Sequence, residues 1–527
     1  MAGAQFKQNP LEFVKLQLLR NNRYLEYSEP PLCGSRVDTC PMARFSQPTF
    51  LNGPPQPLVL TLDGWNESPL ELYGKIASPS RPSFLLESGK RLTDEPSYSF
   101  FGSDPIAILA GTTAIANGTA EEPFKQLARI FGGSNFIGTP DLPPFFGGAV
   151  GYFSYDFVRR YETLPSNATN DLDIPDLQFC LFDLLTAIDH RTKRVQIIFC
   201  PSMERFLGEA RDKLYREGQD RLAECETRLR DSTASEAAPS PIESLSFTPS
   251  QTKEAYLNRV RRCQEYIAAG DIYQANLSHR FTVETPPWTR RGSDRLRYEQ
   301  ALYRQLRAVN PSPFSGLLHF EDVSLISCSP ERLVRLQGRH VDTRPIAGTR
   351  PRGRNAIDDQ RLVGELLANE KERAEHLMLV DLERNDLGRV CEFGSVRVDE
   401  FMAVEQYSHV SHIVSHISGT LRKDATPLDL IRATFPGGTI TGVPKIRSME
   451  IIDELEPVRR GPYTGSFGYI GWNGDLDLNI IIRTLVLCGA KGYLQVGAGI
   501  VADSDPTKEY EETLHKAQAF FSSLQRT

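Results

Sequence analysis

Residues 253–282, KEAYLNRVRRCQEYIAAGDIYQANLSHRFT, decide the fold. Lys253 to Ala269 has the apolar spacing of a helix stopped at Gly270, and Ile272 to Thr282 reads as a strand. Further along, Leu317 to Leu336 reads as strands broken around Ser329-Pro330, and Ile357 to Leu382 has the spacing of one long helix. Strands and helices thus come in clusters and not in strict alternation. That pattern predicts an α+β chain with largely antiparallel sheets, not a doubly wound parallel fold.

Towards the N-terminus, Pro201 to about Arg230 is charged and helix-prone. It leads into the Ser/Pro/Ala-rich segment Asp231 to Pro241, the best linker candidate. The expected organisation is a region 1–230, a linker 231–250 and a region 251–527. The run Phe145 to Asp156 has a partner in Tyr463 to Ile470, both Gly/Tyr-containing, which suggests two related bent strands but is too short for a repeat.

With 527 residues, 40% of them hydrophobic, the chain can bury a large core. Its net charge of −7, with 60 Lys+Arg against 67 Asp+Glu and no basic run, argues against a nucleic-acid partner. An anionic ligand would need local positive charge. Nine scattered cysteines without a Cys-x-x-Cys pair indicate neither a zinc site nor a disulfide framework. There is no run of 18 or more apolar residues, and the N-terminus lacks a signal-peptide core, so the expectation is a cytoplasmic protein with no membrane contact.

Near the C-terminus, Asp505-Pro506 reads as an N-cap and first helical position. Glu509 and Glu512 then lie one turn apart on the same helical side, where two carboxylates can share a hard cation. Such pairs are more often solvated. Glu375, set into the helical stretch Lys371 to Leu382, offers a third carboxylate, and Mg²⁺ suits such a set because it needs few protein ligands. Phe435 to Lys445 is a glycine-rich turn running into a helix, which makes either an anion site or simply a capped turn; it is not a Walker A loop. Arg483, in the apolar run Ile480 to Val486, needs an anion if buried, and a structural salt bridge is the simpler reading. His412, in a strand-like setting, reads by itself as a hydrogen-bonded core residue.

Taken together, these stretches resemble the chorismate-utilising family, which includes anthranilate synthase component I, aminodeoxychorismate synthase component I, isochorismate synthase and salicylate synthase. The likeness is densest from about Ala269 to Ala517. It implies two largely antiparallel sheets in a sandwich flanked by helices, to which both halves of the chain contribute. It also implies that Glu375, Glu509 and Glu512 hold Mg²⁺, and that Tyr463, Arg483 and the amides of Gly497, Ala498 and Gly499 anchor the carboxylates of chorismate. Lys445 and Thr439 stand close by, and Gly348 and Thr349 join the substrate-binding set. Glu331 matches the acid/base carboxylate beside the departing C4 hydroxyl, and His412 the histidine near that end of the ring.

Gln274 stands where water-adding members have a lysine base, so the resemblance implies an aminating enzyme. Ala347, where many aminodeoxychorismate synthases carry a lysine, is the residue usual in anthranilate synthases. Against it, five stretches resemble the aminodeoxychorismate type: 274–277, 310–315, 439–442, 449–457 and 475–480. The expected product is therefore 4-amino-4-deoxychorismate, with anthranilate the alternative. A non-catalytic subunit that binds aromatic acids is the rival from another class, and it predicts loss of Glu331, Glu375 or Glu512, all of which are present. Leu85 to Ser88, with Asn310, Pro311 and Ser312 as a second wall, resembles the feedback pocket of anthranilate synthases, although Ser97 and Ser315 depart from it. No Gly-x-Cys-x-Gly turn is present, so ammonia is expected from a separate glutamine amidotransferase subunit, and the chain is expected to stop at the aminated ring without a fused lyase.

Overall fold

The computed structural model describes residues 50–51, 53–88, 97–111, 122–132, 136, 138, 141–231, 244–290, 292–406 and 410–524, with the backbone of 44–45. These fall within one compact unit, Pro41–Thr527. The interior of the expected linker, 232–243, lies outside the described residues.

Two sheets, both antiparallel throughout, build the molecule. In the larger, Ser83–Glu87 pairs with Phe314–His319, so a strand from before the linker is hydrogen-bonded to one from after it. In the smaller, Gly148–Phe153 pairs with Ser466–Gly471. These are the two Gly/Tyr runs of the sequence, and they are cross-strand neighbours, with Gly151 opposite Gly468. A Cβ on Gly151 would lie 2.0 Å from the Gln178 carbonyl oxygen, so any side chain there would clash with the neighbouring strand's backbone.

The helix at Lys253–Ala268 and the strand at Gln274–Glu284 follow the sequence reading closely. The long helix does not. It is two helices, Ala356–Ala368 and Glu370–Gly388, parted at Asn369. Asn369 takes an extended ψ of 107° and its side chain accepts from the Glu372 amide, so the residue that ends one helix caps the next. An apolar period continues across such a joint, which hides it from a periodicity reading.

A main core spans both sheets. Within it Trp472 is buried, stacks on Phe131 at 5.4 Å and donates from Nε1 to the Cys200 carbonyl. Its ring occupies the place a side chain on Gly147 (φ +145°) would fill, 2.7 Å from the nearest ring carbon. Trp472→Ala is expected to cost about 3–5 kcal/mol through the cavity it leaves and to lower the urea midpoint at unchanged slope.

A second cluster positions the functional site. Ala275 and Leu277 on one strand, with Ala498 and Ile500 on its neighbour, pack beneath Val260, Cys263, Ile451 and Ile452 of two helices. Because side chains alternate across a strand, Gln274, Asn276, Gly497 and Gly499 are turned to the opposite face. The helix Pro506–Leu524 packs against this strand pair, capped by Asp505, whose Oδ1 accepts from the Lys508 amide at 2.9 Å.

Candidate active site

On that face Asn276 stands opposite Gly499 and Ser278 opposite Gly497. A Cβ on Gly499 would meet Gln274 Nε2 at 2.5 Å, and one on Gly497 would meet Asn276 Oδ1 at 2.5 Å and the Tyr463 hydroxyl at 2.9 Å. The two glycines therefore let Gln274, Asn276 and Tyr463 close over the backbone around Ala498. Gln274 Oε1 and Asn276 Oδ1 are buried without a well-formed hydrogen bond. Buried orphans of this kind are rare in an interior and suit a polar ligand.

Glu331 lies between the strands Val323–Ser329 and Arg332–Gln337, held by the Ile480 amide donating to its carbonyl at 3.0 Å. Burial pushes its carboxyl up to about 7, tempered by the Thr439 hydroxyl, the Ile346 amide and the positive charges of Arg483 and Lys516. It thus keeps its proton well above the pH at which an ordinary carboxyl loses it. Arg483 sits at φ +50°, in the left-handed region, at the start of Thr484–Cys488. The salt bridge anticipated for it is absent: no carboxylate lies within 4 Å of its guanidinium among the described residues. Burial holds its pKa down, against the pull of Cys328 and Glu331.

Arg483, His412, Lys516, Asn310, Pro311 and Ser312 together line a cavity of about 170 Å³, with Pro330 beside Glu331 at its edge. The histidine is neutral: burial, and then the Arg483 charge, bring it down to about 4. Its Nδ1 is 2.9 Å from Thr349 Oγ1 and 3.4 Å from the Gly348 carbonyl. Ala347, Gly348 and Thr349 form a bulge there, Ala347 opposite Ile413 and Thr349 opposite His412, with Gly348 at φ +65°. Asn310, Pro311 and Ser312 thus line the same cavity as His412 and Arg483, whereas Ser88 is not among its lining residues.

Lys445 is placed elsewhere. Its Nζ meets Asp386 Oδ2 at 2.5 Å and donates to the Thr434 carbonyl, on the wall of a larger cavity of about 640 Å³. Its charge is paired with that carboxylate, and it is not among the residues that line the cavity of Arg483.

Glu375, Glu509 and Glu512 are near enough to feel one another. Burial raises Glu375, Lys371 opposes this, and Glu509 and Glu512 add to it; Glu509 is raised by burial and by Glu512. Lys371 lies 3.7 Å from Glu375, and Lys516 lies 2.8 Å from Glu512. Among the described residues no three acidic, histidine or cysteine side chains are drawn together tightly enough to cage a metal.

Lys516, which donates to the Gly497 carbonyl at 2.9 Å, was missed in the sequence. It lies four residues after Glu512 and seven after Glu509, so helical spacing alone places it on their face.

Fold and site together define a chorismate-binding enzyme: two packed antiparallel sheets with a buried acid among cationic groups. The sequence profile of chorismate binding enzymes matches residues 81–522, and the chain belongs to that family. It is 44% identical over 464 residues to anthranilate synthase component 1 of Thermus thermophilus, covering 87% of this chain and 96% of that protein. It is 41% identical over 471 residues to aminodeoxychorismate synthase component 1 of Bacillus subtilis, covering 87% and 95%. Among solved structures, anthranilate synthase component I of Streptococcus pneumoniae superposes with a TM-score of 0.70 at 33% identity, covering 82% of this chain and 93% of that one. No helix among the described residues is long and apolar enough to cross a membrane.

Proposed function

We propose that this protein aminates chorismate to 4-amino-4-deoxychorismate, using ammonia from a glutamine amidotransferase partner. The observation behind the reading is Glu331, a carboxyl that burial raises to about 7 even though two cations, Arg483 and Lys516, pull it down. The cations suit the carboxylates of the ring acid, and the carboxyl suits proton donation to a departing hydroxyl. Gln274 favours ammonia over water as nucleophile, because an amide cannot serve as the base that water requires. Tyr463 and the backbone around Ala498 complete the anchoring.

Glu375, Glu509 and Glu512 fit Mg²⁺ in kind: oxygen donors only, already accompanied by cationic lysines. When bound, the ion supplies positive charge that neutralises a carboxylate of the ring acid. The partner reading is supported by the component 1 names of the relatives.

Anthranilate is the second reading, favoured by Ala347 and by the likeness to the Thermus protein. Incubation with chorismate, Mg²⁺ and ammonium, followed by product mass, separates the two. Loss of pyruvate with formation of anthranilate as sole product would overturn the first reading. With no lysine at 347, nitrogen enters the ring directly, so Ala347→Lys is expected to leave product identity unchanged. A ring adduct in the intact mass of the wild-type protein would refute direct entry.

A further inference from the structure

One buried acid has no part in the reading above. Glu383 is 4% exposed, on the helix Glu370–Gly388. Thr343 Oγ1 donates to its Oε2 at 3.4 Å, and its other oxygen lies 3.6 Å from where a Cβ on Gly438 would stand. The next residue along that loop, Thr439, carries the buried hydroxyl that faces Glu331. Two acids thus flank a single dipeptide. One turn further along the helix from Glu383, Asp386 is 2% exposed and paired with Lys445, and both line the cavity of about 640 Å³. The wall of that cavity also includes Leu382, into which a Cβ on Gly438 would run at 2.2 Å. The Gly438 loop is therefore packed directly between the cavity wall and Glu331.

We propose that Glu383 is a positioning residue that acts through Glu331, returning to it, by way of the Gly438–Thr439 loop, a proton taken from solvent in the large cavity at Asp386 and Lys445. The proposal rests on the amination reading. As the C–N bond forms and the C–O bond breaks, Glu331 gives its proton to the departing hydroxyl, which leaves as water. Nitrogen, added as ammonia, is left with one proton too many and releases it to water. Each turnover therefore ends with Glu331 ionised inside a site closed by substrate, and one proton must come back. Burial, then the charges of Asp386 and Glu331, push Glu383 up to about 8, against the opposing pull of Lys445, so it holds a proton at neutral pH and can give it up to a nearby carboxylate.

The test compares single-turnover and steady-state rates of the full chain with chorismate, Mg²⁺ and saturating ammonium. In Glu383→Gln the amide keeps its place beside Thr343 and the loop but cannot pass a proton. The first turnover is expected to stay within about twofold of wild type while the steady-state rate falls about tenfold or more, with KM falling in step so that kcat/KM is unchanged, which produces a burst of one product per enzyme. Small weak acids titrating near neutrality should restore the steady-state rate. Glu383→Met, which fills the same space, is the second variant and is expected to show the same split. Equal loss in both regimes without rescue, or no loss in either, would overturn the proposal. Wild-type enzyme that forms no aminated product would sink the amination reading instead. The burst remains measurable on whatever ring product forms, since loss of the hydroxyl at Glu331 is common to both.

Discussion

Glu331→Gln is expected to bind chorismate with nearly the wild-type affinity and to turn it over about 10² to 10⁴ times more slowly. The amide keeps the shape of the carboxyl and its seat between the two strands, and it loses only the transferable proton. The wild-type pH profile should bear the same signature. Burial raises this carboxyl to about 7, so the competent acid is present below that pH and activity falls as pH rises through it. The same shift has a stability counterpart. A folded-state pKa above the unfolded value means that the contribution of Glu331 is fully present below the ordinary carboxylate range and is lost as pH rises through about 7. In Glu331→Gln the residual rate should lose that alkaline limb. Isothermal titration separates binding from chemistry, and loss of affinity in step with rate would make Glu331 a binding residue.

The second large effect is expected at the acidic set. Glu375→Gln or Glu512→Gln should reduce Mg²⁺-dependent turnover by about a hundredfold or more, because Mg²⁺ is held by few protein carboxylates and each one matters. Stability should not follow. Glu375 and Glu509 are raised partly by like charge, so removing one carboxylate relieves repulsion. The ion pair between Glu512 and Lys516 lies at the surface, where such pairs are worth about 0–1 kcal/mol. A Mg²⁺ titration of rate, alongside melting curves and with Glu511→Gln as a control on the same helix, checks this. Near-normal turnover at moderate Mg²⁺ in either variant would remove the metal assignment.

Local rules accounted for much of the frame. The helix at Lys253–Ala268, its stop at Gly270, the cap at Asp505 and the break at Ser329-Pro330 all follow from residues acting on near neighbours. The antiparallel class followed from how such elements cluster, and the resemblance pointed to Glu331, Arg483 and His412 before any coordinates. The joint at Asn369 escaped because the apolar period runs through it. The tertiary structure decided what depends on distant chain segments. Residues 83–87 and 148–153 pair with strands at 314–319 and 466–471, far along the chain, which no local pattern encodes. Arg483 was an ambiguous buried cation by sequence, and only packing shows that among the described residues it makes no close ion pair, with Glu331 the one carboxylate acting on it from a distance. Lys445 was drawn towards the substrate by its motif, and only packing gives its charge to Asp386. The acidity of Glu331 and Glu383 is likewise invisible in the chain, because it arises from desolvation and from charges brought near by folding. Residue identity determined which chemical groups this protein has available; burial and long-range pairing decided which of them are left free to act.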